Sequence, residues 1–356
     1  MAKINVGICG VGNCCSAIVQ GLIYYRNAGR GGRSEGLTFV NIGGYLPGDI
    51  EITAAFDVDR RKIGLDLGSA IFSEPNSCPK VCETGNLDVK VLKGPVLDGV
   101  SEDLSNIILV DDSKPVNISK ELIDSDVDVL VNLLPVGASK ASRFYADEAL
   151  KAGCAFVNCT PAKIANDKKL ATKFMQAKLP VIGDDLMSQI GGTIFHKSIL
   201  DFFNSRGVKV KSCYQLDVGG GTESRATIEE SRKMLKRGIK TDSIRSVLPY
   251  KFNIVSGTTD YVEFLGNKRV SYYWLKGEYF NGAPVMVDIY LRTLDGPNCG
   301  SIIFDVVRAC KIALGRKTGG ILPSICAYGF KDSPKKIPLN DVKKEFIQFV
   351  EGKNKD

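Results

Sequence analysis

Histidine is nearly absent from this chain of 356 residues, which has only His196 beside 47 lysines and arginines and 40 acidic residues. Imidazole is the side chain whose unperturbed pKa lies closest to neutrality. Any proton transfer in this protein would therefore fall mostly to lysines and carboxylates. His196 lies inside an apolar helical pattern, so we interpret it as a structural residue.

Several other features are missing. No apolar run is long enough to span a membrane, and Met1-Ala2-Lys3 leads directly into a first strand, where no signal peptide fits. No dense basic block is interleaved with aromatic residues, so the net charge of +7 does not favour nucleic-acid binding. The eleven cysteines are scattered, and Cys78 and Cys82 lack a second pair at zinc-ribbon spacing. We expect a cytoplasmic protein with reduced thiols and no structural metal.

The length suggests two domains or one large one. In the first half, strand signals alternate with helix signals, which predicts a parallel, doubly wound sheet of the α/β class. The predicted strands are 4–9, 51–56, 127–134, 155–158 and 180–183, and a predicted helix covers 138–152.

The character changes after Gly183. A helix at about 192–205 precedes a strand at 208–218 and a basic helical stretch that reaches Lys240. Strand-like segments then follow one another without a helix, which predicts a second α+β domain with a mainly antiparallel sheet. These segments are 269–276 and 285–292, and helices are predicted at 301–315 and 341–350.

A glycine turn separates the first strand from the first helix. Gly10 and Gly12 would let backbone N–H groups approach a pyrophosphate at a helix N-terminus. The third position of the fingerprint is Cys15, and the acidic residue comes late, as Asp57 at the end of the second strand. The pattern predicts a dinucleotide site, and Asp57 favours NAD over NADP. A tight turn that binds nothing is the alternative.

Ordered motifs along nearly the whole chain resemble the myo-inositol-1-phosphate synthase (inositol-3-phosphate synthase) family of the short archaeal and bacterial type. The motifs are Gly10-Val-Gly-Asn-Cys14, Phe56-Asp-Val-Asp59, Asn132-Leu-Leu-Pro-Val-Gly137, Val181-Ile-Gly-Asp-Asp185 with Ser188-Gln189, Tyr214-Gln-Leu-Asp-Val-Gly-Gly220, Lys236-Arg-Gly-Ile-Lys240-Thr241, Leu294-Asp-Gly-Pro-Asn298 and Tyr328-Gly-Phe-Lys331.

The resemblance implies a Rossmann-like fold and a redox-neutral cyclisation of glucose 6-phosphate. NAD⁺ would oxidise C5 of the open-chain sugar, a base would remove a C6 proton, the enolate would attack the C1 aldehyde, and NADH would reduce the ring ketone. It also implies a homotetramer, an NAD-binding domain at 1–188 completed by 296–356, and a catalytic and assembly domain at 189–295.

The resemblance also assigns site residues. Lys236 and Lys240, four apart, would share a helix face, where mutual repulsion and desolvation lower at least one pKa; on sequence alone, a solvated surface pair is the simpler interpretation. The implied catalytic residues are Lys236, Lys240, Lys331 and Asp295. The implied cofactor contacts are Gly10, Gly12, Asn13, Cys14, Asp57, Asp66, Ser125, Tyr145, Ser188, Glu223 and Lys236. We expect backbone N–H groups near 188–193, where Gly191-Gly192 opens a helix, to hold the sugar phosphate. The expected substrate contacts are Ser188, Gln189, Gly192, Thr193, Lys268 and Arg269. Asp184 and Asp185 could bind a divalent cation or meet a helix N-terminus, so a metal stays open.

The chain departs from the family pattern at several of these places. Gly221-Thr222-Glu223 replaces Asn-Thr-Asp, Met187 replaces a lysine, and a family lysine aligns with Arg269, or with Lys268 if the register slips by one. Asp-Ser-Pro becomes Asp295-Gly296-Pro297. Such changes are typical of a related cyclase or epimerase with another sugar phosphate as substrate. A net oxidoreductase and an NAD-binding regulator with a decayed site are further alternatives.

Overall fold

A computed structural model describes residues 3–354, apart from the side chains of residues 103, 258 and 259. The chain forms a seven-stranded and a four-stranded β-sheet with helices packed against both. In chain order, the elements up to the end of the sixth strand are β1 (Ile4–Cys9), α1 (Asn13–Tyr24), β2 (Ile50–Asp57), α2 (Leu67–Ala70), β3 (Val91–Lys93), α3 (Glu102–Ser105), α4 (Ile118–Asp124), β4 (Val129–Asn132), α5 (Ser139–Ala152), β5 (Ala155–Asn158), α6 (Lys168–Gln176) and β6 (Pro180–Ile182).

The remaining elements form the second sheet and then return to the first. They are α7 (Gly192–Ser205), β7 (Lys209–Gly219), α8 (Thr222–Ala226), α9 (Glu230–Arg245), β8 (Asn253–Tyr261), β9 (Lys268–Glu278), β10 (Pro284–Leu294), α10 (Pro297–Gly315), β11 (Gly320–Ile321), α11 (Pro323–Gly329) and α12 (Leu339–Val350).

The seven-stranded sheet is parallel and doubly wound, which confirms the predicted fold class. Its strand order is β11-β6-β5-β4-β1-β2-β3. Apolar strand residues are buried on both faces, against α1, α10 and α11 on one side and against α4, α5 and α6 on the other. The order reverses between β1 and β4, and ligands of such sheets bind at the carboxyl ends of the strands beside this point.

The four-stranded sheet has the order β10-β9-β7-β8. Strand β9 runs antiparallel to both β7 and β10, as predicted, whereas β7 and β8 are parallel. The parallel pair arises because α8 and α9 cross over between its strands. Helices α7 and α9 contact this sheet, with Leu200 and Ile244 in its core.

Most predicted elements occur within a few residues of their expected bounds, and α7 matches the expected range. Helix α10 begins earlier than expected, at Pro297, because proline is favoured in the first helical turn. The two-residue strand β11 pairs with β6 and brings the C-terminal segment back to the first sheet. Within residues 3–354, no helix combines the length and apolar character that a membrane span requires.

Candidate active site

The glycine turn joins β1 to α1 and opens into a cleft. Gly10 has φ +98°, and a Cβ there would lie 2.9 Å from the Leu133 carbonyl oxygen, so only glycine fits. A Cβ on Gly12 would meet nothing within 4 Å, and no side chain caps the start of α1. The N–H groups of the first helical turn are therefore open to an anion.

Asp57 closes this turn from the end of β2. Its carboxylate accepts hydrogen bonds from the N–H groups of Val11 (2.7 Å), Val58 (2.7 Å) and Asp59 (2.9 Å). Lys62, which the sequence analysis missed, is buried and donates to the Val11 carbonyl oxygen (2.8 Å). Both side chains line the cleft beside the glycine turn.

Most of the expected cofactor residues line this one cleft. They are Gly10, Gly12, Asn13, Cys14, Asp57, Tyr145, Ser188, Glu223 and Lys236. The structure brings neither Asp66 nor Ser125 there. Asp66 caps α2 by accepting from the Gly68 N–H (2.8 Å) and also accepts from the Leu87 N–H (3.1 Å). Ser125 follows α4 and precedes β4, at the amino edge of the sheet, whereas the glycine turn follows the carboxyl end of β1.

The two expected lysines of α9 face the cleft and are buried. Lys240 Nζ lies 2.6 Å from Asp217 Oδ2, and Lys236 pairs with Glu223. Burial lowers the pKa of Lys240 to about 8; Asp217 opposes this shift, and Arg269 and Lys236 add to it. An amine with this pKa can both accept and release a proton near neutral pH.

The carboxylates beside these lysines stay ionised. Burial favours the neutral form of Asp217, but Lys240 and Arg269 outweigh it and hold the Asp217 pKa well below its usual range. Burial likewise opposes ionisation of Glu223, and Lys236 reverses the balance, so the pKa of Glu223 is lowered.

Strand β9 places the two candidates for the position of the family lysine differently. Arg269 lines the cleft and donates to Asp295 Oδ2 through Nε (3.0 Å) and Nη2 (2.6 Å), while Lys268 is exposed and points away. Although burial opposes its charge, Asp295 and Asp217 raise the pKa of Arg269. The guanidinium therefore keeps its proton and acts as a fixed positive charge.

Lys331 follows α11 and reaches the cleft from the C-terminal segment. Its Nζ donates to Asp185 Oδ1 (2.6 Å), and Asp185 Oδ2 is buried without a hydrogen-bond partner. The neighbouring Asp184 accepts from the N–H groups of Ile164 (3.0 Å) and Ala165 (3.0 Å), among other donors. Asp184 therefore holds a loop, and no metal-binding group of three or more His, Cys, Asp or Glu occurs among the described residues.

The expected substrate residues divide at the start of α7. Ser188, Gly192 and Thr193 line the cleft, and the buried Thr193 hydroxyl has no hydrogen-bond partner. Gln189 instead donates to the Gly36 carbonyl oxygen (2.8 Å). Met187 is buried but does not line the cleft. The position at which it replaces a family lysine therefore lies outside the cleft wall.

Sequence reasoning missed Asp217, Gln215 and Ser271. Gln215 and Asp217 are two residues apart on β7 and face inward beside Lys240. Ser271 donates to Asp217 Oδ1 (2.5 Å) from the adjacent strand β9. The available signal was two polar residues on the face of a strand that alternation predicts to be buried.

Together, the parallel sheet, the glycine turn and a cleft that continues to buried ion pairs define a Rossmann-type α/β protein. A sequence model described as myo-inositol-1-phosphate synthase matches residues 191–296. The inositol-3-phosphate synthase of Mycolicibacterium smegmatis is 40% identical over 357 residues and 98% of each chain. The enzyme of the same name from Corynebacterium glutamicum is 40% identical over 355 residues, again 98% of each. The crystal structure of Ari2 superposes with a TM-score of 0.79 at 29% identity, covering 98% of this chain and 99% of that one. The chain belongs to the inositol-3-phosphate synthase family of enzymes.

Proposed function

We propose that the protein is an NAD-dependent inositol-3-phosphate synthase that cyclises glucose 6-phosphate without net oxidation. The observation that supports this most strongly is the continuity of one cleft. It runs from the glycine turn to Lys236, Lys240 and Lys331, and each ammonium contacts a carboxylate at the cleft wall.

The residues around the turn fit a dinucleotide. The open position of Gly12 leaves room for a pyrophosphate against the first turn of α1. The Asp57 carboxylate at the strand end would accept a hydrogen bond from a ribose hydroxyl and repel a 2′-phosphate, which favours NAD over NADP. When bound, NAD⁺ would take a hydride from the sugar and return it after ring closure.

The chain's own residues would manage charge and protons. Lys240, whose pKa is about 8, can remove a proton as the amine and protonate an oxygen as the ammonium. The ammonium groups of Lys236 and Lys331 would stabilise negative charge that develops on sugar oxygens. The N-terminus of α7, with the unpartnered Thr193 hydroxyl, offers donors for the sugar phosphate.

A cyclase or epimerase for another sugar phosphate is the second candidate, and Arg269 favours it. An arginine bound to Asp295 replaces a family lysine, and it cannot exchange a proton at neutral pH. Gly221, in place of the family amide, also lines the cleft. The double variant Gly221→Asn with Arg269→Lys carries the family residues at both positions. It should form more inositol phosphate than the unmodified protein if the unmodified protein prefers another sugar phosphate. Met187 is unchanged in this variant because its side chain lies outside the cleft wall.

The deciding experiment is product identification after incubation with NAD⁺ and a panel of hexose and pentose phosphates. An inositol phosphate formed from glucose 6-phosphate with no NADH accumulation supports the first proposal. A different cyclic or epimeric product supports the second. Accumulating NADH would identify a net oxidoreductase, and NAD binding without any turnover would identify a regulator.

We also propose a homotetramer located in the cytoplasm, with domains at 1–188 plus 296–356 and at 189–295. Exposed Met286 and Tyr290 on β10 offer an apolar surface for assembly, and all eleven cysteines are free. Light scattering on the purified protein measures the assembly, and limited proteolysis tests the domain boundaries.

A further inference from the structure

Asp217 accepts hydrogen bonds from three side chains, at the part of the cleft wall where Lys240 lies. It is 1% exposed, and Lys240 Nζ lies 2.6 Å from its Oδ2. The Ser271 hydroxyl donates to Oδ1 (2.5 Å), and Gln215 Nε2 donates to both oxygens (2.9 and 3.0 Å). The carboxylate is therefore fixed in one orientation.

The single histidine helps to fix Gln215. Gln215 Oε1 accepts from the Ser256 hydroxyl (3.0 Å) and lies 3.2 Å from His196 Nδ1. Burial lowers the pKa of His196 to about 4, so the ring is neutral near neutral pH. Because an amide oxygen only accepts, Nδ1 carries the ring proton, and Nε2 is left to accept from the Cys213 thiol at 3.2 Å. The Gln215 amide group must then point its N–H atoms toward Asp217.

The charges that face Lys240 come from three elements. Asp217 on β7 attracts a proton to it, while Arg269 on β9 and Lys236 on α9 repel one. The two repelling cations each contact a further carboxylate, Asp295 and Glu223. Asp217 is thus the carboxylate in direct contact that opposes burial and both cations.

We infer that Asp217 is the positioning residue of Lys240: its carboxylate, held by Ser271 and by the Gln215–His196 pair, points the amine into the cleft and sets whether it is charged. The inference rests on the proposed function only in taking Lys240 as a group that acts on substrate. The base or acid role that we propose for Lys240 does not itself specify an acidic neighbour, so the contact with Asp217 can be tested separately.

The test measures Lys240 without relying on activity. An amine-acylating reagent is applied at a series of pH values, and the labelling rate of Lys240 is read by peptide mass spectrometry and normalised to its limit at high pH. In the unmodified protein we expect a midpoint near the pKa of about 8. This midpoint is the reference with which the midpoints of the variants are compared.

Asp217→Asn is the informative variant. Because the variant loses the counter-charge, the pKa of Lys240 should fall below its present value of about 8. The normalised labelling rate at neutral pH should therefore rise about fivefold. The matched control is Asp242→Asn, the same change on α9 in an exposed pair with Arg245. An unchanged midpoint in Asp217→Asn, or an equal shift in the control, would refute the inference. If Asp217→Asn does not fold, Ser271→Ala provides the second test, because it releases Asp217 Oδ1 and should also lower the labelling midpoint of Lys240; an unchanged midpoint in Ser271→Ala would then refute the inference.

The pH dependence of kcat separates the role of Asp217 from the proposed role of Lys240 as a base. If Lys240 acts as a base, the acidic limb of the kcat–pH profile should move to lower pH in Asp217→Asn together with the labelling midpoint. A labelling shift without a kcat shift supports the role of Asp217 and argues against Lys240 as the rate-limiting base. A kcat shift without a labelling shift would overturn the role of Asp217.

Discussion

Replacing Lys240 by methionine should destabilise the folded protein through the carboxylate that remains. Methionine fills much of the space of the lysine stem but removes the ammonium, while Ser271 and Gln215 still donate to the Asp217 carboxylate. Removing one partner of a buried ion pair costs about 3–5 kcal/mol. Since the two remaining donors still bind the carboxylate, we expect a loss of about 3 kcal/mol at neutral pH.

The loss should depend on pH. In the unmodified protein the folded-state pKa of Asp217 is lowered, so its stabilisation is present above the unfolded value of 3.8 and disappears as pH falls through the folded value. Without Lys240, burial is opposed by fewer partners, with Arg269 and Ser271 among those that remain, so the pKa of Asp217 should rise above its value in the unmodified protein. The variant then takes up this proton at higher pH, so the difference in stability between the two proteins should be wide near neutral pH and narrower toward about pH 4.

Denaturant unfolding at both pH values measures this difference. The double variant Asp217→Asn with Lys240→Met removes both charges and should recover most of the lost stability. Equal stability of Lys240→Met and the unmodified protein would refute the reasoning. So would a double variant no more stable than Lys240→Met, because the cost would then not come from the charge of the Asp217 carboxylate.

Four further outcomes are expected. Asp57→Ala should weaken NAD binding by about 1–2 kcal/mol in calorimetric titration, and equal affinity of the unmodified protein for NAD and NADP would contradict the ribose assignment. Lys331→Ala should lower turnover at least about a hundredfold while NAD still binds; near-full activity would remove Lys331 from the mechanism. Thr193→Val should raise the KM for the sugar phosphate by about tenfold without loss of stability, since its hydroxyl has no partner in the protein; an unchanged KM would exclude it from the phosphate site. Burial raises the pKa of several thiols, so their stabilisation is complete below the unfolded value of 9.0 and is lost as pH rises through the folded values. Stability should therefore fall steeply above about pH 9, and constant stability up to pH 11 would contradict it. Among these thiols, burial raises the pKa of Cys78 to about 11 and the pKa values of Cys154 and Cys213 to about 12.

Local sequence patterns predicted the elements that are long and regular. The bounds of α7 follow from glycines at both ends, with Gly191 at its N-cap and Gly207 in the left-handed region after its end. The strands β3 and β11, of three and two residues, are too short to show alternation, and their pairing partners are distant in sequence. Their positions come from packing onto an existing sheet.

Predicting the site required knowing where each side chain points, and residue spacing does not contain that information. Lys268 and Arg269 are neighbours in the chain, but successive side chains of a strand point to opposite faces, so only one of them can face Asp295. Asp66 and Ser125 are polar residues near element ends, and only the sheet topology reveals that Ser125 lies at the amino edge. Met187 sits between cleft residues in sequence, yet its side chain packs elsewhere.

The two-residue strand β11 sets an order of events during protein synthesis. The contact between Lys331 and Asp185 joins positions 146 residues apart, and the lysine arrives on the segment that β11 anchors beside β6. A ribosome making this chain must release it past residue 331 before the third lysine can reach the cleft. The glycine turn, by contrast, emerges more than 300 residues earlier. A nascent chain would therefore gain the nucleotide-facing half of the cleft well before it could gain the complete set of lysines, so the site would be completed only after Lys331 has emerged.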